Sequence, residues 1–509
     1  MVSKHFFHVL FFLDFVSFPF SSVAFHAVTP LNESNVVHSS SSSSSNFNTI
    51  NVEGNKTDGT YFSGCFDKVY AFGDSYTDTG NAQLLGGLKN FESGFLSKGS
   101  NFGQRSCDGR LVVDFLCDAL NISSLRPYKS ISANSAANLS LGVNFATAGA
   151  TVFTRKFFAH YKINNTLMWQ GTPQSFHTQI EWFNKFLSDI ACKGKSEEGC
   201  KADMGSSLFW LGQMGIGDYA RVLGSTISLR WLKDMTIAYT SNLLTFDLLF
   251  SSLKSFLALP YVTLFDTGAK YIVVQGLPPL GCYPFAKLSP NFVKDDMGCA
   301  AGINKAIIAH NDLLQTILEG FRKKQGGKCM ILYADYFNAY KEITTNLGKF
   351  GLEDAFNACC GAGNGPLNFN LESLCGMLGT TACKNPDSHV HWDGIHLTEA
   401  MHRQISDLFL YKDFCQPSFI ELIKMKKGQE QLENYSFLEF VLGLNPLTHC
   451  SSPSPSKDTV LDICYVVLLL SDTQLHDPLS ISIEKDFNFA AEYKEELEQF
   501  QVEFIEEKD

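Results

Sequence analysis

Five short apolar segments, separated by longer stretches with helical spacing, constrain the fold of this chain more than any other feature. Each segment is about as long as a buried strand, and the stretches between them are long enough to be crossover connections. The apolar segments are 68–72, 142–146, 207–211, 270–274 and 329–333, and the helical stretches are 173–190, 229–257, 299–324 and 397–410. This alternation predicts an α/β fold with a five-stranded parallel sheet that helices cover on both faces.

The first of these segments leads directly into Gly73-Asp74-Ser75. Open parallel sheets bind ligands at the carboxyl ends of their strands, so Ser75 lies where a reactive group is expected. A serine hydroxyl becomes a good nucleophile when a histidine, oriented by a carboxylate, removes its proton. Asp393 and His396 stand three residues apart, just before the last helical stretch. We therefore predict Ser75 as the nucleophile, His396 as its base and Asp393 as the acid that orients His396.

Seven motifs, found in order along the chain, resemble those of the plant GDSL esterase/lipases of the SGNH hydrolase superfamily. They are F-G-D-S-Y-T-D-T-G-N (72–81), G-V-N-F-A-T-A-G-A (142–150), L-F-W-L-G-Q-M-G-I-G-D-Y-A (208–220), V-V-Q-G-L-P-P-L-G-C (273–282), Y-A-D-Y (333–336), A-C-C-G (358–361) and H-W-D-G-I-H-L-T-E-A (391–400). Gly-Asp-Ser or Asp-x-x-His alone is common by chance. Seven ordered motifs within residues 65–419 are not.

The resemblance implies a three-layer α/β/α sandwich of the SGNH, flavodoxin-like type. It also implies hydrolysis of a small-molecule or lipid-like carboxylic ester through an acyl-enzyme, with no cofactor. Ser75, His396 and Asp393 match the family's triad. The backbone N–H groups of Ser75 and Gly149 match two donors of its oxyanion hole. The acyl and alcohol specificity stays open, because acetyl, phenolic and lipid-like esters all fit.

One position departs from the pattern that the resemblance implies. The third motif normally reads G-x-N-D, with the asparagine side chain as an oxyanion donor, whereas this chain has Gly215-Ile216-Gly217-Asp218. Losing one such donor costs roughly 3–4 kcal/mol of transition-state stabilisation. Asp218 is a poor replacement because an ionised carboxylate only accepts hydrogen bonds. Three alternatives stay open: an esterase with a substitute donor, an impaired relative with a binding or wall-associated role, and an acyltransferase that uses the same triad.

The N-terminus has the features of a secretory signal peptide. Lys4 precedes an apolar run at 6–20, and the small residues Ser22 and Ala24 favour cleavage after Ala24. The run is short for a membrane span, so an uncleaved anchor is the less favoured alternative. We expect a signal peptide at 1–24, a flexible Ser/Asn-rich leader at 25–64, a hydrolase domain at 65–419 and an atypical extension at 420–509, which is either disordered or a gene-model artefact.

Cysteines and glycosylation sequons agree with an extracellular location, in the apoplast or cell wall. The chain has 15 cysteines, an odd number, so at least one thiol stays outside intramolecular disulfides. The cluster Cys359, Cys360, Cys375 and Cys383 favours disulfides over a zinc site, since no C-x-x-C pair is present. The candidate N-glycosylation sites are Asn32, Asn55, Asn121, Asn138, Asn164 and Asn434.

Charge and spacing exclude several other classes of protein. The net charge is −12 and no Lys/Arg-rich run occurs, so a nucleic-acid partner is not expected. None of the 13 histidines has the H-E-x-x-H spacing of a metallohydrolase, and we expect no metal site. Apart from the N-terminal run, the apolar segments are too short to span a bilayer, so integral membrane association is not expected. The sequence leaves the oligomeric state open.

Overall fold

The computed structural model describes residues 61–85, 105–131, 142–161, 163, 174–223, 225–244, 263–288, 292–363 and 365–442. The predicted signal peptide, most of the leader and the extension beyond 442 lie outside these ranges. The strands are β1 (Val69–Phe72), β2 (Gly142–Asn144), β3 (Leu208–Leu211), β4 (Tyr271–Gln275), β5 (Met330–Ala334), β6 (Asp354–Ala358), β7 (Cys360–Gly361), β8 (Thr381–Ala382), β9 (His389–His391) and β10 (Cys415–Gln416). The α-helices are α1 (Asn81–Leu84), α2 (Val112–Leu120), α3 (Arg155–His160), α4 (Phe176–Phe186), α5 (Glu197–Gly205), α6 (Ile216–Val222), α7 (Leu229–Leu244), α8 (Pro284–Lys287), α9 (Ala301–Gln325), α10 (Tyr336–Thr345), α11 (Glu399–Tyr411) and α12 (Phe419–Leu442).

The central sheet has the strand order β10-β5-β4-β3-β1-β2. Strands β1 to β5 are all parallel, as predicted, and they coincide with the five apolar segments to within two residues at each end. The sixth strand, β10, pairs antiparallel with β5 at one edge. Sequence reasoning missed β10 because a pair of residues is too short to show any periodicity.

Helices cover the two opposite faces of this sheet. Tyr70 and Phe209 pair in register between β1 and β3, and both rings pack against Phe183 of α4. Tyr271 of β4 pairs with the residue before Phe209, so its side chain lies on the other face. On that face the Tyr271 hydroxyl donates to Gln429 Oε1 of α12 at 2.6 Å. The α/β/α three-layer architecture is therefore confirmed.

Both ends of the folded core reach beyond the limits expected for the hydrolase domain. Phe62 is buried and stacks on a tyrosine of α11, so packing begins a few residues before Cys65. Helix α12 begins at Phe419, and its Leu422 and Ile423 are fully buried in the same hydrophobic core. The first turns of α12, which fall within the predicted extension at 420–509, thus pack on the hydrolase domain. The composition of residues 420–509 as a whole is mixed, so it does not reveal this short apolar segment.

Disulfides tie together the segment between β6 and β9. The four bridges in the described chain are Cys192–Cys200, Cys282–Cys299, Cys359–Cys383 and Cys360–Cys375. The last two confirm that the cysteine cluster forms disulfides. Cys359–Cys383 cross-links the paired strands β7 and β8, and Cys360–Cys375 ties β7 to the chain between them. The backbone N–H groups of Cys359 and Cys360 donate to the carbonyl oxygens of His391 and Trp392, so this cross-linked unit contacts the chain just before Asp393.

Two of the six sequons lie in the described parts of the chain. Asn121 is exposed at the carboxyl end of α2, and Asn434 lies within α12; the other four fall outside the described residues. Of the helices that the structure describes, none combines the length and the apolar character needed to cross a membrane.

Candidate active site

The carboxyl end of β1 is the point at which the strand order of the sheet reverses. The chain runs from β1 to β2 on one side and then returns to β3 on the other, so a crevice opens beyond β1. Gly73 follows the strand with a φ of +151°, which lets the chain turn before Ser75. The buried Gln179 side chain of α4 holds this turn, since it donates to the Gly73 carbonyl (2.7 Å) and accepts from the Gly73 N–H (3.0 Å).

The structure brings Ser75, His396 and Asp393 together in one hydrogen-bonded chain. His396 Nε2 lies 3.0 Å from Ser75 Oγ, and His396 Nδ1 lies 2.9 Å from Asp393 Oδ2. The other carboxylate oxygen of Asp393 accepts the backbone N–H groups of Ile395 (2.7 Å) and His396 (2.6 Å). Since a carboxylate only accepts, Nδ1 carries the proton and Nε2 is left to accept from the serine hydroxyl.

Electrostatics favours a charged histidine at this place. Burial disfavours the ionised forms of His396 and Asp393, but their mutual attraction outweighs it. The pKa of His396 is raised above its ordinary 6.5, and the pKa of Asp393 is lowered below its ordinary 3.8. An imidazolium formed during a reaction is therefore stabilised, while the carboxylate beside it stays ionised.

A second carboxylate, Asp74, lies close to the same histidine. Burial raises the pKa of Asp74 to about 7, against the opposing effects of the Tyr76 N–H, which donates to Asp74 Oδ1 at 3.0 Å, and of the charge on His396. The negative charge of Asp74 in turn raises the pKa of His396, after the larger effect of Asp393. The charge of His396 thus depends on two carboxylates.

The loop at 147–153, which bears Gly149, is held by two buried carboxylates. The Ala148 N–H donates to Asp78 (2.7 Å), a carboxylate of the segment after Ser75. At the far end, the N–H groups of residues 152 and 153 donate to the buried Asp218 carboxylate of α6 (2.8 and 3.1 Å). The N–H groups of Ser75 and Gly149 donate to no other group of the described chain. Both are therefore available to a developing oxyanion.

Gly217 lies in the first turn of α6 and faces that loop at very short range. A Cβ at this position would stand 2.6 Å from the Ala150 carbonyl oxygen and 3.2 Å from Thr151 Cγ2. The backbone just after Gly149 thus occupies the space through which an asparagine side chain would leave α6. Asp218, the next residue of α6, accepts the backbone N–H groups of residues 152 and 153.

Sequence reasoning missed Gln179, Asp74 and Tyr76 as parts of this site. Gln179 had a signal, because it is an amide on the apolar side of an amphipathic helix, in line with Phe176, Phe183 and Phe186. Asp74 and Tyr76 had none beyond their position next to Ser75. The partners of the Tyr76 hydroxyl, and the histidine on which the charge of Asp74 acts, lie more than 200 residues away. Within the described ranges, no group of three or more His, Cys, Asp or Glu side chains is arranged to hold a metal ion.

The match to known families agrees with this geometry. A model of the GDSL-like lipase/acylhydrolase family matches residues 69–409, which include the whole parallel sheet and the Ser75–His396–Asp393 chain. The chain belongs to the GDSL-like lipase/acylhydrolase family. This membership supports carboxylic ester hydrolysis as its activity.

Several relatives in plants align over most of their own length with this GDSL chain. It is 38% identical over 372 residues to a GDSL esterase/lipase of Arabidopsis thaliana, covering 71% of this chain and 90% of that protein. It is 34% identical over 347 residues to acetylajmalan esterase 2 of Rauvolfia serpentina, covering 67% of this chain and 88% of that protein.

Proposed function

We propose that this protein is a secreted serine esterase in which Ser75, His396 and Asp393 hydrolyse a carboxylic ester through an acyl-enzyme. The observation that carries the proposal is the pair of hydrogen bonds through the His396 ring, 3.0 Å to Ser75 Oγ and 2.9 Å to Asp393 Oδ2. This arrangement lets the imidazole accept the serine proton while the carboxylate fixes its tautomer and stabilises its charge.

The reaction divides into two half-reactions. In the first, Ser75 Oγ attacks the ester carbonyl carbon while its proton moves to His396 Nε2, and the oxyanion lies against the N–H groups of Ser75 and Gly149. Collapse breaks the bond to the alcohol, which leaves with the proton from Nε2. In the second, water gives a proton to Nε2 and adds to the acyl group. Loss of the acid returns the proton to Ser75.

We assign the substrate to small or lipid-like carboxylic esters outside the cell. The name of one relative, acetylajmalan esterase 2, supports acetyl esters as members of this class. Secretion is supported by the signal-peptide features of residues 1–24, by the sequons and by the four disulfides, which are typical of extracellular proteins.

A catalytically impaired relative is the second candidate, and Gly217 is the observation that favours it. An oxyanion hole of two backbone N–H groups lacks the side-chain donor of the family's third motif. The close contact between Gly217 and the Ala150 carbonyl leaves no room for that side chain without movement of the loop. Such a protein would bind esters or wall polymers and turn them over slowly.

Hydrolysis of p-nitrophenyl acetate and butyrate by the secreted protein separates the two candidates. The parent is compared with Ser75→Ala and with Ser188→Ala, which removes an exposed hydroxyl on the turn after α4. We expect the parent and Ser188→Ala to be equally active and Ser75→Ala to lose roughly 10³-fold or more. If the parent does no better than Ser75→Ala and resists labelling by a fluorophosphonate, the esterase is ruled out in favour of the binding protein.

A further inference from the structure

Tyr76, the residue after Ser75, places a buried hydroxyl on the loop that carries His396. Its Oη lies 2.7 Å from the backbone carbonyl oxygen of Ile395 and 2.9 Å from Tyr283 Oη. A carbonyl oxygen can only accept, so the single proton of Tyr76 goes to Ile395 and the Tyr283 hydroxyl donates to Tyr76. Both tyrosines are buried, so bulk water does not compete for these bonds.

The carbonyl of Ile395 belongs to the same planar peptide group as the N–H of His396. That N–H donates to Asp393 Oδ1 at 2.6 Å. The peptide group is therefore held at both ends, its N–H by the acid and its C=O by Tyr76. Because the Cα of His396 is attached directly to this group, its plane sets the direction in which the imidazole leaves the backbone.

We propose that Tyr76 is a positioning residue for ester hydrolysis: its hydroxyl fixes the Ile395–His396 peptide group and so keeps His396 Nε2 within hydrogen-bonding distance of Ser75 Oγ. The inference rests on the proposed roles of Ser75 and His396. Tyr76 is covalently linked to the nucleophile, so this one hydrogen bond ties nucleophile and base to each other across 319 residues of sequence.

Tyr76→Phe tests the inference, because it removes the hydroxyl and keeps the ring. Tyr340→Phe is the matched control, since its side chain is also buried and its hydroxyl bonds to His391 Nε2 (3.0 Å) and to no described residue from 393 to 396. With p-nitrophenyl acetate, we expect Tyr76→Phe to lower kcat about tenfold while KM changes less than about twofold. We expect Tyr340→Phe to leave kcat within about twofold of the parent, even where its melting temperature falls by as much as that of Tyr76→Phe.

Hydrogen exchange of the His396 amide, followed by NMR, gives a readout that does not depend on turnover. We expect this amide to exchange several times faster in Tyr76→Phe than in the parent or in Tyr340→Phe. Unchanged kcat and unchanged exchange would overturn the inference, as would equal losses of kcat in the two variants. If the parent hydrolyses p-nitrophenyl acetate no faster than Ser75→Ala, the esterase proposal is overturned instead. The exchange rate of the His396 amide in Tyr76→Phe and in the parent would still show whether the Tyr76 hydroxyl fixes this peptide group.

Discussion

At the scale of single residues, the carboxylates around Ser75 have different roles. Asp78 and Asp218 each accept several backbone N–H groups and fix the loop that bears Gly149. Asp393 orients His396 through both of its oxygens. Asp74 accepts a single N–H, from Tyr76, and its charge acts on His396. Replacing Asp74 therefore changes the charge near His396 and breaks only one hydrogen bond to the backbone. Replacing any of the other three carboxylates would break at least two.

The acid limb of the pH profile of kcat/KM tests this role of Asp74. Only neutral His396 accepts the serine proton, so activity falls as the pH decreases through the pKa of His396, which is raised above 6.5. Asp74→Asn removes the negative charge that Asp74 carries above its own pKa of about 7 and that favours the imidazolium, so the midpoint of the acid limb moves to lower pH. His402 stays neutral because burial lowers its pKa to about 3, an effect to which the charge on His396 adds. Asp189→Asn, at an exposed site on the turn after α4, is the control, and an acid limb at the same pH in both variants would contradict the prediction.

Gly217 gives a second prediction at this scale. Gly217→Asn is expected to lower the melting temperature and to bring no gain in kcat/KM, because its Cβ meets the Ala150 carbonyl oxygen at 2.6 Å and overpacking costs about 1–3 kcal/mol. Gly217→Ala introduces the same Cβ without an amide and is expected to behave alike. Gly302→Ala on α9, where a Cβ meets nothing within 4 Å, should leave both quantities unchanged or slightly improved. Higher activity in the asparagine variant alone would show that the loop yields and the amide donates.

At the scale of secondary-structure elements, α12 is the piece that joins the expected extension to the core. It begins at Phe419, next to the antiparallel strand β10, and packs against α11 and β5. The Lys427 ammonium also donates to the Tyr61 carbonyl oxygen at 3.0 Å, so α12 contacts the amino-terminal end of the described core. Helix α12 therefore packs beside residue 61, the first residue of the described core.

Leu422→Ala measures how much α12 stabilises the domain. The side chain is fully buried, and removing such a leucine costs about 2–5 kcal/mol of unfolding free energy, the lost transfer energy plus a cavity. Lys424→Ala, exposed two positions along the same helix, is the control and should change the stability by less than about 0.5 kcal/mol. Denaturant unfolding of both variants gives the comparison. Equal stability would mean that α12 is separable from the hydrolase domain.

At the scale of the whole molecule, both disulfide formation and N-glycosylation require that the chain enter the secretory pathway. Bridges such as Cys359–Cys383 and Cys360–Cys375 need an oxidising compartment to form, and glycans are added along the same route. The exposed position of Asn121 at the end of α2 makes it accessible to modification without disturbing the core.

We expect the protein secreted from plant cells to begin at Phe25 and to carry a glycan at Asn121. Intact mass and N-terminal sequencing check the first statement, and enzymatic deglycosylation checks the second. Asn121→Gln should lose the mass of one glycan and keep esterase activity, because Asn121 takes no part in the site. A secreted protein that begins at Met1 would contradict the predicted cleavage. An equal mass for the parent and Asn121→Gln would contradict the predicted glycan.

The sequence by itself determined the parallel sheet, because strands buried on both faces need continuous apolar runs, and these runs coincide with β1–β5. It also singled out Ser75, Asp393 and His396, because nucleophilic chemistry requires those residue types and the motifs around them are local. The strands can each be read from one short segment, whereas the site also needed seven such motifs in order along residues 65–419.

Only the tertiary structure decided the contacts between residues far apart in the chain. The link from Tyr76 to Ile395, the hold of Gln179 on Gly73 and the approach of Gly217 to Ala150 all join segments that the sequence separates by 60 residues or more. Strand β10 forms because β5 lies beside it, and the first turns of α12 are buried because the hydrolase core lies against them. A hydrogen bond or a close contact is specified by both partners, and a pattern in one segment shows only one of them.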